Sequence, residues 1–303
     1  MTFHFRPAKR ENTPLIVGIA GPTKSGKTYS AHRVAQGLAN GGTVAMINAE
    51  GAKGHQYADE FTYVATDIEA PFRPERYTEA LHAALAINPA VVIIDSVSHM
   101  HDGPGGILEY HSSEKERLGG SDRVNFTAWI KPKAAENQFI YTMLSADCHI
   151  VLCMRAKEKI RIVEGGKPID LGWQPIVGER VAFETLFTLM LPPHSKGAPD
   201  LSISEMRKPF DTLIKSGEQL TEATGAALRE WASGAGAAVA PARSQNAGLS
   251  MSALKAWIAD AGADKDQLAA VAKDLFPDAE SFGSLTDGER AKVRDRYLEL
   301  AAV

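Results

Sequence analysis

Gly21, Gly26, Lys27 and Thr28 stand at the spacing G-x-x-x-x-G-K-[ST], with Pro22, Thr23, Lys24 and Ser25 filling the interval. Those residue types at that spacing suit phosphate. Glycines let successive backbone N–H groups curl around phosphate oxygens, and a helix starting behind the loop adds partial positive charge. Lys27 would reach β- and γ-phosphates, and the Thr28 hydroxyl would hold Mg2+. Asp95 ends the apolar run Ala90–Ile94 and would hold the same metal beside the loop. Glu50 ends another strand-like run, Val44–Ala49, directly after the helix behind the loop. A carboxylate at the carboxyl end of such a strand can orient and polarise an attacking water. A solvated loop glutamate is the alternative.

These positions need a strand before the loop and a helix after it. Leu15–Ala20 reads as the strand and Thr28–Leu38 as the helix. Further strands are expected at Thr43–Asn48, Phe61–Val64, Ala90–Asp95, His149–Met154 and Thr185–Leu191, with helices at Pro74–Ile87, Asn125–Leu144 and part of Gly106–Leu118. Such alternation predicts an α/β fold, a mostly parallel sheet covered by helices. Val91–Ile94 and Ile150–Leu152 lack polar alternation, as strands buried on both faces do.

The chain divides by composition into an arm (1–13), a core (14–231), a linker rich in small residues (232–249) and a small helical domain (250–303). In the last, Met251–Ala261, Lys265–Leu275 and Thr286–Ala301 read as amphipathic helices, with Asp264 and Thr286 as N-caps and Glu289 completing a capping box. Their acidic surface suits a partner-docking module or a regulator of the core better than a DNA-binding face, with a solvated helical cap as the alternative. Cys148 and Cys153 flank one apolar run and read as buried strand residues. A net charge of −4 excludes a globally basic nucleic-acid binder but not a local basic groove. Without a secretory h-region or an apolar run of membrane-spanning length, a cytoplasmic protein without membrane contact is expected. His99 and His101 lack a third ligand and are read as loop residues beside the nucleotide.

Ile47-Asn48-Ala49-Glu50-Gly51-Ala52-Lys53-Gly54-His55-Gln56-Tyr57-Ala58 resembles the segment carrying the catalytic glutamate of RecA-type recombinases, and Ile93-Ile94-Asp95-Ser96-Val97 is similar to their Walker B strand. The resemblance spans roughly residues 14–215. The whole chain most resembles phage-encoded RecA-like ATPases of the Sak type, which are single-strand annealing proteins. The resemblance implies a RecA-like P-loop NTPase core with a small C-terminal helical domain, working with ATP and Mg2+ on single-stranded DNA as a homo-oligomer, filament or ring. It implies that Arg155 joins Lys27 and Glu50 as a catalytic residue that senses the γ-phosphate. It also implies that the following segment, with Lys157, Lys159, Arg161 and Lys167 and a mobile Gly165-Gly166, contacts DNA.

Basic residues on such a loop suit backbone phosphates, and Trp173 could stack on a base. The same segment also reads as a solvated β-hairpin, Lys159–Val163 with Lys167–Leu171. Lys115, Arg117, Arg123, Lys131 and Lys133 form a second basic stretch, either a first DNA loop or a solvated surface. Ser204–Phe210 is expected to end a late strand, and the resemblance implies that Arg207 and Lys208 act in trans on a neighbour's γ-phosphate. The expected activity is an ATP- and Mg2+-dependent, DNA-stimulated ATPase promoting strand annealing or pairing. The alternatives are a P-loop kinase of a small metabolite and a nucleotide-dependent assembly switch with negligible turnover.

Overall fold

A computed structural model describes residues 10–162, 168–234, 249–279 and 281–301. Lys167, the Gly165-Gly166 pair, residues 1–9 of the expected arm and most of the expected linker lie outside the described residues. The chain forms two compact units, Met1–Gly236 and Ala237–Val303.

The first unit is the α/β fold that the alternation predicts. Its strands are β1 (Ile16–Gly21), β2 (Val44–Asn48), β3 (Val64–Asp67), β4 (Val91–Asp95), β5 (His149–Arg161), β6 (Ile169–Pro175) and β7 (Phe187–Met190). They form one sheet in the order β3-β2-β4-β5-β1-β7. All neighbours on that path run parallel, and β6 pairs antiparallel with the outer half of β5. The longer helices are α1 (Lys27–Ala39), α2 (Pro74–Leu85), α4 (Ile107–Arg117), α6 (Ile130–Leu144) and α9 (Glu222–Ala232). Shorter ones are α3 (Ser98–Asp102), α5 (Asn125–Ala128), α7 (Glu179–Phe183) and α8 (Phe210–Leu213).

Strand side chains alternate between faces, and both faces are apolar here. Val91, Ile93, Val151 and Cys153 point into a core with Ala31, Val34 and Leu38 of α1 and Leu228 of α9. Val92, Ile94, Ile150 and Leu152 point into a second core with Tyr77 and Leu81 of α2 and Phe139 and Met143 of α6. Both cysteines are free and buried, Cys153 within β5 and Cys148 just ahead of it. A sheet filled on both faces leaves polar chemistry at the strand ends.

Four local expectations are corrected. The first edge strand is Val64–Asp67 rather than Phe61–Val64; Phe61 and Tyr63 instead pack their rings on His32, at 5.1 and 4.4 Å. The strand starting at His149 runs seven residues past Met154, because the β-hairpin with β6 carries it out of the core, where burial leaves no apolar signal. The helix expected over Asn125–Leu144 is two helices meeting at Trp129. Pro132 has no N–H to give to the Ala128 carbonyl, so the first helix stops there. Ser204–Phe210 does not end a strand. Glu205 forms only an isolated bridge to Thr188, and Pro209, without an N–H, precedes the short helix at Phe210.

Helix α9 clamps the helix behind the phosphate loop. Thr221 and Thr224 close a capping box at its start, and Arg33 of α1 donates to the Glu222 carboxylate through Nε and Nη2. The two helices approach through Gly37 and Gly225. A Cβ on Gly225 would lie 2.1 Å from the Val34 carbonyl oxygen, and one on Gly37 would lie 2.0 Å from that of Glu222.

In the second unit, α10 (Met251–Ala261), α11 (Lys265–Leu275) and α12 (Asp287–Ala301) enclose Leu254, Leu268, Leu285 and Val293. The Asp264 carboxylate accepts from the N–H groups of Asp266 and Gln267. Thr286 and Glu289 exchange their capping-box hydrogen bonds. No helix among the described residues is long and apolar enough to cross a membrane.

Two stability predictions follow from this packing. Helix propensity alone predicts that Gly225→Ala gains about 1 kcal/mol. The close approach predicts instead a loss of about 1–3 kcal/mol, read as a lower melting temperature. A higher one would refute the contact. His32 is fully buried with neither ring nitrogen hydrogen-bonded, and burial lowers its pKa from 6.5 to about 4. The folded protein therefore resists the proton that the unfolded chain accepts. Stability is full above pH 6.5 and falls by about 3 kcal/mol as pH drops to 4. Urea titrations of wild type and His32→Phe across that range test this, the variant being expected to lose that part of the slope.

Candidate active site

The carboxyl ends of β1, β2 and β4 meet the middle of β5, around Arg155, at one end of the sheet. In register, Asn48 of β2 lies opposite Asp95 of β4, and Gly21 of β1 opposite Arg155 of β5. The expected residues Lys27, Thr28, Glu50, Asp95 and Arg155 therefore gather in one place.

The loop from Gly21 to Thr28 is built from unusual backbone. Lys24 and Gly26 have φ of 66° and 96°, and such alternation turns N–H groups inward as an anion nest. A Cβ on Gly21 would lie 2.6 Å from the buried Ser25 hydroxyl, and one on Gly26 would lie 2.6 Å from the Gly197 nitrogen. Gly197 N–H and the Ser195 hydroxyl both donate to the Ser25 carbonyl, at 2.8 and 3.2 Å. The segment after β7 thus props the loop from behind. Lys27 donates to the Pro22 carbonyl at 2.9 Å, so its ammonium lies across the loop.

Thr28 donates to Asp95 at 2.6 Å. The hydroxyl and the carboxylate are hard oxygen donors side by side, the kind Mg2+ takes together with phosphate oxygens. Burial raises the Asp95 pKa, with the Thr28 hydrogen bond, Lys27 and Arg155 opposing it and Glu50 adding to it. A fully buried carboxylate with so little positive charge in contact is suited to a cation.

Glu50 follows β2 and faces Arg155. The guanidinium donates from Nε and Nη2 to the two carboxylate oxygens, each at 3.1 Å. Burial pushes the Glu50 pKa up, but Arg155, His99 and the Ser96 hydroxyl outweigh it and leave it below the ordinary range. Glu50 is therefore a carboxylate near neutrality, already engaged. The sequence assigned Glu50 and Arg155 separate roles, and the fold joins them. The Arg155 N–H also donates to the Ser98 hydroxyl at 2.8 Å, which ties β5 to the turn after Asp95. Sequence reasoning gave no role to Ser96, Ser98 or Tyr57. The first two lie one and three residues after Asp95, and Tyr57 meets Tyr29, next to Thr28, edge-on at 5.2 Å.

The remaining candidates lie elsewhere. Lys157 and Lys159 are exposed on the β5–β6 hairpin, and Arg161 lies opposite Ile169 near its far end. Trp173 does not stand free on that hairpin but packs partly buried against the core. Lys115, Arg117 and Lys131 are engaged by Asp122 and Glu114, and the Lys133 ammonium sits over Trp129. Arg207 lines a groove with Leu15, Ile16 and Leu186, at the sheet end away from the phosphate loop. It cannot serve the phosphate site of its own chain. Lys208 is exposed beside it.

A family model described as an AAA domain matches residues 13–198, more than half of the chain. The chain belongs to the AAA domain family. A comparison with curated proteins found no match. The match covers the phosphate loop, Glu50, Asp95 and Arg155 together, so the chain is a P-loop ATPase of the AAA type, built to use a nucleotide and, as is usual in such enzymes, Mg2+.

Asp95 gives this site a testable cost. Its raised pKa means that stability is gained as pH falls through the folded value, so the charged form at neutral pH opposes folding. Asp95→Asn keeps an oxygen for Thr28 and removes the charge. In EDTA at pH 7.5 the variant should melt above wild type, while Mg2+-dependent ATP turnover falls at least about 100-fold. A lower melting temperature would show that Asp95 is not strained.

Proposed function

We propose that this ATPase is a phage-type, RecA-like protein that binds single-stranded DNA when ATP and Mg2+ are bound, promotes annealing or strand pairing, and hydrolyses ATP to let go. The observation that carries the proposal is strand β5. One continuous strand holds Arg155 against Glu50 at the nucleotide site and, two and four residues on, presents exposed Lys157 and Lys159 on a projecting hairpin. A shift of Arg155 therefore moves the base of a basic hairpin.

In this reading the nest and Lys27 bind the β- and γ-phosphates. Thr28 and Asp95 hold Mg2+, which when bound would neutralise phosphate charge. Glu50 orients and deprotonates the attacking water. Arg155 exchanges Glu50 for the γ-phosphate, which frees the carboxylate and re-aims the hairpin. Lys157, Lys159 and Arg161, with Lys167 beyond them, contact the DNA backbone. Arg207 and Lys208, turned away from their own phosphate site, act on a neighbour in a homo-oligomer, filament or ring. The helical unit docks a protein partner.

Hydrolysis measured with and without single-stranded DNA tests this. DNA should stimulate turnover, and Lys157→Ala/Lys159→Ala should remove the stimulation, weaken DNA binding and reduce its salt dependence by about two counterions. Glu50→Gln should keep ATP binding and lose turnover. Failure to bind single-stranded DNA with a non-hydrolysable ATP analogue would overturn the DNA role and leave the ATPase standing.

A further inference from the structure

Two buried polar side chains beside Glu50 have no role in hydrolysis as described so far. Ser96 is fully buried and His99 is 8% exposed. His99 Nδ1 lies 2.9 Å from the Ser96 hydroxyl and 3.9 Å from Glu50 Oε1. Its ring is wedged against Phe72, with centroids 4.8 Å apart. The Ser96 carbonyl accepts from the Tyr77 hydroxyl at 3.0 Å, which fixes the backbone under both. The Ser96 hydroxyl stands beside the Glu50 carboxylate and acts to lower its pKa.

We infer that Ser96 and His99 are positioning residues for Glu50: His99 donates from Nδ1 to Ser96, so that Ser96 must donate its single proton to the Glu50 carboxylate. A serine hydroxyl has one proton and two lone pairs, and a neutral imidazole has one donor and one acceptor nitrogen. If the ring proton sits on Nδ1, Ser96 accepts it and its own proton is free for Glu50. If the ring proton sits on Nε2, then Nδ1 takes the Ser96 proton and Glu50 receives nothing. His99 acts through Ser96, without touching the substrate.

This matters at one moment of the cycle. While Arg155 holds both oxygens of Glu50, the carboxylate plane is fixed. Once the guanidinium turns to a γ-phosphate, only Ser96 remains to stop the carboxylate from rotating. A carboxylate free to rotate aims at the water only part of the time. The inference rests on Glu50 as the base, and its test separates the two.

Steady-state kinetics and ATP affinity would be measured for Glu50→Gln, Ser96→Ala, His99→Phe and His99→Asn. An asparagine amide can replace the Nδ1 donor, and a phenyl ring cannot. Ser96→Ala and His99→Phe should each lower kcat about 10- to 100-fold with ATP affinity unchanged. The double variant should be no worse than Ser96→Ala, and His99→Asn should recover most of kcat. A kcat at the wild-type level in both single variants, or no recovery in His99→Asn, overturns the positioning role. Wild-type turnover in Glu50→Gln overturns the base itself. A measurement on the wild-type protein does not depend on any variant folding. Long-range 15N–1H NMR of His99 should show the Nδ1–H tautomer, and the Nε2–H tautomer overturns the inference.

Discussion

Parallel register is the constraint on which the site depends. Glu50, Asp95, Arg155 and the phosphate loop come from four different strands, Glu50 and Arg155 alone being 105 residues apart. They meet because β2, β4, β5 and β1 are adjacent and run in one direction, with Asn48 beside Asp95 and Arg155 beside Gly21 where the parallel pairing stops. The register is fixed in turn by burial. Slipping any of these strands by one residue would exchange the side chains of the two cores. The apolar filling of both faces thus acts as the alignment device for the polar groups beyond the strand ends.

Those polar groups are poised by unequal treatment of two carboxylates. Asp95 is fully buried and its pKa is raised, whereas Glu50 is partly exposed, paired with Arg155, and its pKa is lowered. The difference suits two jobs. A buried carboxylate short of positive partners favours a cation, and the hydrogen bond from Thr28 holds it in place until one binds. The base proposed at Glu50 must be ionised yet not always engaged, and the exposed part of the Glu50–Arg155 pair leaves room for a partner exchange. Surface ion pairs of this kind contribute little to stability. Its value lies in being separable.

The amino-acid sequence shows the parts of this site whose residue types are themselves the signal. Gly21–Thr28, Asp95 and Glu50 could be placed because glycines, a lysine and carboxylates at strand ends have few other uses in combination. Val91–Ile94 could be placed because a strand buried on both faces must be apolar throughout. The edge strand Val64–Asp67 could not, since its side chains are all exposed and carry no pattern. The outer half of β5 is exposed as well, and it was legible only as one of two readings, the solvated β-hairpin of Lys159–Val163 with Lys167–Leu171. The bond between Glu50 and Arg155 was hidden because their strands are not neighbours: β4 lies between β2 and β5. Only strand order decides that contact, and strand order is not written in local periodicity. Helix α9 was masked by Gly225, which looks like a helix breaker and is instead the point of contact with α1.

The props behind the catalytic groups are as important as the groups themselves. Ser195 and Gly197 hold the Ser25 carbonyl, Ser98 holds the Arg155 backbone, and Tyr77 holds the Ser96 carbonyl. These hydrogen bonds satisfy backbone groups at or just beyond the sheet end, where the ladder has run out. The same bonds immobilise the loop, the strand of Arg155 and the turn after Asp95 relative to one another. Satisfying the backbone at the strand ends and preorganising the site are therefore one requirement met by one set of residues. That is why small hydroxyl side chains gather there, and why the turn after Asp95 contains both Ser96 and Ser98.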